Sequence, residues 1–575
     1  MKRCPTCNRV EADETLAFCR VDGARLVSDA DAPTQALADP ASANLHSPEL
    51  RRDTASTMLE TQTLEASQKQ SKTALMARRG LKRVWIIGAI VLAAVVVGIV
   101  LVAASIYRQS HDTTAGIDSI AVLPFENQTQ DVNNEYLTDG LTESIINSLT
   151  QLPNLKVIAR SSVFRYKGQA SDPFSAGKQL GVRAVLTGRM VKQGDDVIVS
   201  AELIDLRDNK QLWGERYQRR MADLLTVQRE IAREITTNLR PRLSGEEKNR
   251  AAKDYTTNSE AYQFHLKGRF YWAKRTPADF HKAIAFFEQA IAKDPNYALA
   301  YSGLADSYAL LPIYGEGRPR DWMPKAKEAA QKALALDDNL SEAHASLGQI
   351  IGNYDYDFTG AEREFQRAIV LNPNYPSAHQ WRAENLSTLE RFDEALAEAR
   401  RALELDPLSL IINRIYADLL MDARRYDEAI EQYRKTLDLD PNFVTTHYFF
   451  GRAYEAKGQY DQAVAEYNKA FEMNNVPTEQ LRMLNETYAR FGWKAYWQAV
   501  LNGALERAKK GYQSPFVISL FYARLDQKDE AFAYFEKAYA ERDFRMSLIK
   551  VSFEFDSLRS DPRYAEWVKR IGLPQ

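Results

Sequence analysis

Cysteine is nearly missing from this chain: of 575 residues only Cys4, Cys7 and Cys19 are cysteine. Everything after Cys19 is therefore without intrachain disulfides and must be held by burial and hydrogen bonding. Also missing are several motifs by which enzymes are recognised. No GxxxxGK, GxGxxG, HExxH or GxSxG stands at a suitable strand–helix junction, which leaves nucleotide cyclase and kinase chemistry without a phosphate-binding loop. Charge of one sign is lacking too, since a formal net charge of −2 with 26% charged residues gives no general pull toward nucleic acid or an acidic surface.

One stretch lacks charge altogether. Val84–Tyr107, VWIIGAIVLAAVVVGIVLVAASIY, has no charged residue and only Ser105 as a polar side chain before its last tyrosine. At ~1.5 Å rise per residue such a helix is roughly 36 Å long, enough to cross a ~30 Å hydrocarbon core with tilt. Arg78, Arg79, Lys82 and Arg83 precede it without an acid among them, whereas Arg108 and His111 are followed by Asp112 and Asp118. The positive-inside rule then predicts a single-pass bacterial inner-membrane protein, its N-terminus cytoplasmic and everything after Tyr107 extracytoplasmic.

The three cysteines open the chain as CPTC, a spacer, and CRVDG, which sets Cys4 and Cys7 on one turn and Cys19 and Asp22 on another. Two such turns aim four ligands at one tetrahedral centre. The segment 1–26 resembles bacterial zinc-ribbon modules of the CPxC…FCxxDG type, with Asp22 where a ribbon usually has cysteine. The expected cofactor is one structural Zn²⁺ on Cys4, Cys7, Cys19 and Asp22; three thiolates completed by water, or a ribbon without metal, are the alternatives. Residues 27–77, rich in Ser, Thr, Ala, Asp and Gln, read as a disordered tether, because they offer too little apolar surface to offset the entropy of ordering them.

Beyond the span the pattern turns to short β runs and amphipathic helices. Strands are expected at Ser119–Phe125, Lys156–Ala159, Arg183–Met190, Asp196–Ile204 and Gln211–Tyr217, and helices at Thr138–Gln151, Pro173–Leu180 and Ala222–Leu239. The pair Asp139-Gly140 reads as a helix-capping signal. IAVLPFENQTQD, YLTDGLTESIINSLTQLPNLKVIARSS and LGVRAVLTGRMVKQGDDVIVSAELIDLRDNKQLWGERYQ resemble the TolB amino-terminal-like domain, which implies a mixed α/β domain over 117–243.

From about Asn258 the sequence repeats every 34 residues. Pro373, Pro407 and Pro441 mark the period, with Ala361, Ala395, Ala429 and Ala463 twelve residues before each of them or its equivalent, and Gly348, Ala383, Ala417 and Gly451 on the preceding helices. Small residues at the crossing of two helices are what stacked helical hairpins require. The stretch resembles tetratricopeptide repeats (TPRs), about seven of them over 258–540 with an irregular helical stretch before the last and a polar cap or tail over 541–575. His344, His379 and His447 recur near the start of the first helix of a repeat and read as packing imidazoles. In the register of that family the concave groove is lined by Gln380, Glu384, Arg414, Asp418, Tyr448, Arg452 and Glu455, a mixture suited to a protein or peptide partner.

The expected whole is a multidomain chain: a small zinc ribbon, one transmembrane helix, a mixed α/β domain and an all-α TPR solenoid. Its expected role is non-catalytic, a membrane scaffold or signalling adaptor whose solenoid binds a protein partner, with no nucleic acid expected. The alternative is a membrane-tethered regulator whose ribbon contacts nucleic acid or a cytoplasmic signalling partner.

Overall fold

The computed structural model describes strands at residues 2–3, 10–11 and 27–28, and residues 117–575 apart from 130–133, 153, 170–171, 240–252, 254 and 316. Cys4, Cys7, Cys19, Asp22, the apolar run Val84–Tyr107 and all of the expected tether except Val27 and Ser28 lie outside the described residues. Among the described residues no helix is long and apolar enough to cross a membrane. The chain divides into two compact units, Met1–Tyr107 and Arg108–Gln575. In the first, β1 (Lys2–Arg3) pairs antiparallel with β2 (Val10–Glu11) and with β3 (Val27–Ser28). The first two residues read as tether are thus strand residues.

The second unit begins with a mixed sheet. Its strands β4 (Ser119–Val122), β6 (Lys156–Val157), β7 (Ala184–Gln193), β8 (Asp196–Asp205) and β9 (Lys210–Arg220) run in the order β6-β4-β7-β8-β9, while β5 (Glu126–Asn127) pairs with the far end of β7. The apolar run Ile120–Val122 is buried, as the centre of a parallel ladder between β6 and β7 demands. β7, β8 and β9 form an antiparallel meander whose first turn carries Gly194 at φ 64°, a backbone angle that costs glycine little. Helices α1 (Glu135–Thr150) and α2 (Leu224–Leu239) supply Leu137, Leu141, Ile145, Val227, Ile231 and Ile235 to the core.

Asp139 does not cap α1. The helix starts four residues earlier, and Asp139 is buried within it, paired with Lys167 at 2.7 Å. A charged residue one turn into a helix and a cap look alike in sequence; only the tertiary partner separates them.

The remainder is a solenoid of helix pairs. In the first pair, helices Ser259–Trp272 and Pro277–Lys293 pack with Gly268 against the Phe287 ring, and in later pairs Gly348 meets Phe365 and Gly451 meets Tyr467 at distances that a Cβ would violate. These contacts explain why small residues recur on the first helix. The turn between the two helices of a pair carries a positive φ at Tyr356, Glu390, Arg424, Gly458, Gly492 and Asp526, each 34 residues from the last. Gly492 therefore breaks the run Thr478–Lys510 into a hairpin, 478–491 and 493–510, at the place where the period requires one. The stretch read as irregular is itself a repeat, and the described residues hold eight helix pairs rather than about seven.

One further expectation is corrected. The C-terminal segment is not a polar tail: Phe555, Leu558, Tyr564, Trp567, Val568 and Ile571 are buried against Phe516, Phe532 and Phe535 of the last pair. Helix Pro562–Ile571 covers the apolar end that a solenoid otherwise leaves open.

Candidate partner-binding groove

The residues expected to line the groove sit on the first helices of three successive repeats: Gln380 and Glu384 on Pro376–Thr388, Arg414 and Asp418 on Leu410–Asp422, and Tyr448, Arg452 and Glu455 on Val444–Ala456. The helical period places each set on one face. In the middle repeats, Asp418 pairs with Arg414 and accepts a hydrogen bond of 2.6 Å from the Tyr433 hydroxyl. Asp422, one turn further, accepts from the Ser387 hydroxyl at 2.7 Å. Burial pushes the Glu384 carboxyl and the Asp422 carboxyl each up to about 7, and raises Asp418, with Arg414 pulling against the shift at Glu384 and Asp418. This stretch is poised between protonated and ionised states near neutral pH.

Further along, the chain supplies the partners itself. Glu554, from the C-terminal segment and wholly buried, accepts from Arg452 at 2.6 and 2.9 Å and from Arg524 at 2.8 Å. Arg524 in turn donates to Glu455 at 2.7 and 3.0 Å, and Glu455 also accepts from the Tyr467 hydroxyl. Burial works against the charge on Glu554, but the two guanidinium groups hold its carboxyl below the usual value. Arg452 and Glu455 are thus not free groove residues: they close an internal quartet of two arginines and two glutamates.

The same C-terminal segment runs past the hairpin turns of the earlier repeats. Glu541 pairs with Arg320 at 3.3 Å, the Tyr356 hydroxyl donates to the Asp543 carbonyl at 3.0 Å, Lys550 pairs with Glu390, and Arg424 donates to Asp556 at 2.8 Å. Three of these anchors, Tyr356, Glu390 and Arg424, are the positive-φ turn residues themselves.

The opposite edge of the solenoid, where one repeat passes to the next, is held by the α/β domain. Asn372 and Asn374 donate to Thr150, the Ala159 amide donates to the Leu405 carbonyl at 2.9 Å, and Arg165 donates to the Leu439 carbonyl at 2.5 Å. Asp406 accepts from the Ser161 and Ser162 hydroxyls, and burial pushes its carboxyl up to about 6. At the N-terminal end Glu143 of α1 pairs with Arg269 of the first repeat at 2.6 Å and with Arg160 at 3.0 Å.

The recurrent histidines serve packing between helices of one hairpin. His344, His379 and His447 each place Nδ1 2.6 Å from a carboxylate of the second helix, Glu364, Glu398 or Glu466, and Nε2 against the carbonyl of Asp338, Pro373 or Pro441. In the repeat between the last two, Asn413 and Gln432 make the corresponding pair with neutral amides. No group of three or more His, Cys, Asp or Glu among the described residues has the arrangement to hold a metal ion.

Sequence comparison agrees with this geometry. Residues 357–409, 382–442 and 417–477 match the family described as tetratricopeptide repeat, as do residues 515–541. The helical array is a run of tetratricopeptide repeats. Residues 116–234 of the α/β domain match the family described as HilA/YgeH-like transcriptional regulator, second domain, where the motifs had pointed to the TolB amino-terminal-like domain. A putative adenylate cyclase 3 of Rhizobium meliloti (strain 1021) is 33% identical over 231 residues, which are 40% of this chain and 39% of that protein. The transcriptional regulator HilA of Salmonella typhimurium is 25% identical over 282 residues, 48% of this chain and 49% of that one. The chain thus spans less than half the length of these relatives. Among solved structures, PilW, a widely conserved type IV pilus biogenesis factor, is 20% identical with a TM-score of 0.32, covering 39% of this chain and 97% of PilW. The thermophilic TPR protein TTC0263 of Thermus thermophilus is 21% identical with a TM-score of 0.29, covering 34% and 98%.

Sequence reasoning missed Arg524, Glu554, Asp406 and the two serines. The alternation Phe553-Glu554-Phe555-Asp556 was the available signal for the C-terminal segment, since a polar tail has no use for two phenylalanines. Asp406 stands where the first, third and fifth repeats also carry Asn or Asp before proline, so nothing local marks it out.

Proposed function

We propose that this chain is a non-catalytic scaffold or signalling adaptor that binds a protein partner on the TPR array, at the middle of the concave face. The observation that carries the reading is the contrast within that face. Arg452 and Glu455 are bound by Glu554 and Arg524 of later segments, whereas Arg414 and Asp418 pair with one another on a single helix and, with Gln380 and Glu384, lie half-buried between the two clamped edges with no ion pair to the C-terminal segment among the described residues. A short polar stretch with Glu384 poised near neutrality suits a partner segment that brings a cation or a hydrogen-bond donor. Membrane anchoring through Val84–Tyr107, with the α/β and TPR body extracytoplasmic, and a structural zinc on Cys4, Cys7, Cys19 and Asp22 are parts of the same proposal.

The test is photo-crosslinking in intact cells from the full-length chain with a photoreactive residue at Gln380. The expected result is an adduct with a particular protein that disappears in Glu384→Lys and Arg414→Glu variants. An adduct unchanged by both variants would refute the groove. The match to a transcriptional-regulator family over residues 116–234 favours a second reading, in which the N-terminal segment contacts nucleic acid. An oligonucleotide shift by the full-length chain that requires Cys4 and Cys19 would support that reading instead.

A further inference from the structure

The seventh repeat departs from its neighbours in a way that leaves a surface without a partner. At the position where other second helices carry Ala361, Ala395, Ala429 and Ala463 it has Trp497, fully buried, and where the first helices carry Gly348 or Gly451 it has the exposed Asn485. The Trp497 ring stacks on Phe521 of the following repeat and meets Tyr467 of the preceding one edge-on. The first helix, 478–491, buries only Leu484, and a cleft of about 900 Å³ opens beside it, lined among others by Gln480, Met483, Thr487, Gly503 and Tyr522. Met483 is 57% and Phe491 72% exposed, two of the few large apolar side chains turned to solvent among the described residues.

The exposed charges of this helix alternate in sign along its length: Glu479, Arg482, Glu486, Arg490. Read backwards the signs invert. Two copies of the helix laid antiparallel about a twofold axis near residues 484–485 therefore bring Glu479 of each opposite Arg490 of the other, with Arg482 beside Glu486 of the other. Arg490 has no ion-pair partner of its own among the described residues, while Arg482 lies 2.6 Å from Glu479 and 2.5 Å from Glu486 of its own helix, pairs that the two copies would exchange. The same placement sets Phe491 of one copy over residues 478–480 of the other, where Gln480 opens into the cleft. Isologous contacts demand this kind of self-complementarity, one patch serving as both knob and hole. We propose that the seventh repeat is a homodimerisation surface, two chains pairing antiparallel through residues 478–491 with Phe491 of each in the cleft of the other.

The test uses the purified full-length chain and measures its mass by sedimentation, with a short bismaleimide crosslinker as a second readout. Wild type is expected to dimerise, and Met483→Cys, near the axis, to give a covalent dimer in excess of Val370→Cys, an exposed position elsewhere; the native cysteines contribute equally to both. Glu479→Arg and Arg490→Glu singly are each expected to weaken dimerisation by roughly 10-fold or more through like-charge opposition, and the double exchange to restore it. Phe491→Asp is expected to abolish it, with unchanged circular dichroism showing that the repeat still folds. A monomeric wild type, equal crosslinking at 483 and 370, or a double exchange no better than the single changes would each overturn the proposal.

Discussion

Replacing Glu554 by glutamine changes one atom and one charge at the most enclosed ionic site of the solenoid. The side chain has no exposure, and three hydrogen bonds of 2.6 to 2.9 Å reach it from Arg452 and Arg524. In the variant Arg524 keeps the carboxylate of Glu455, while Arg452 loses the carboxylate it is bonded to. Removing one member of a buried pair costs roughly 3–5 kcal/mol, because the remaining charge is left uncompensated, and the amide oxygen, which still accepts one bond, places Glu554→Gln near the lower end, about 3 kcal/mol. The loss should be local first. Hydrogen exchange in the native state is expected to accelerate in Val444–Ala456, Pro515–Arg524 and Phe553–Leu558, the elements the quartet joins, while the α/β sheet is unchanged. A double change, Glu554→Leu with Arg452→Leu, should recover part of the loss by removing charge in balance. Exchange in these three elements that rises by less than about fivefold, equivalent to about 1 kcal/mol, would refute the view that the quartet holds the C-terminal segment in place.

Trp497→Ala should destabilise the seventh repeat by roughly 3–5 kcal/mol through the cavity it leaves, read as a lowered urea midpoint for the repeat array. Asp406→Ala strands the Ser161 and Ser162 hydroxyls at the domain junction; a loss of about 1–3 kcal/mol is expected, seen as earlier proteolytic cutting near residues 160–166. The pair His447–Glu466 predicts a pH window. The hydrogen bond that the imidazolium donates to Glu466 raises His447, so its contribution is complete below about pH 6.5 and is lost as pH rises through the higher folded value. Glu466 is lowered despite burial, so its share is present above about pH 4.5 and is lost as pH falls through the lower folded value. His447→Asn with Glu466→Gln, copying Asn413 and Gln432, should flatten both limbs in thermal melts taken from pH 4 to 8. Metal analysis of the full-length chain should find about one zinc per chain, reduced in a Cys4→Ser, Cys19→Ser variant.

The sequence carried those parts of the fold that local rules govern. Helix Pro173–Leu180 is found where its pattern placed it, with Asp172 accepting from the Ser175 amide at one end and Gly181 in a left-handed turn at the other. The 34-residue period was legible because the same crossing is packed again and again with alanine and glycine. It failed at the seventh repeat, where Asn485 and Trp497 break the small-residue pattern and only the turn glycine Gly492 keeps the phase. Contacts between distant parts were illegible for a different reason. Asp406 meets Ser161 and Ser162, and Arg452 meets Glu554, across a hundred residues or more. A groove arginine awaiting a partner and one already paired within the chain have the same composition and spacing, so Arg452 and Glu455 read as open sites until their neighbours were known.

The two held edges of the solenoid also bear on the thermodynamics of recognition. A free superhelix of stacked hairpins changes pitch as its repeats slide, and a ligand that fixes one pitch must remove that freedom on binding. Here the turns of the third, fourth and fifth repeats are tied to the C-terminal segment, and the opposite loops to the α/β domain. The pitch is chosen when the chain folds. A partner bound as proposed, at the middle of the concave face, would meet a surface whose curvature entropy has already been removed, and would be selected by fit to that one curvature rather than by its capacity to impose its own.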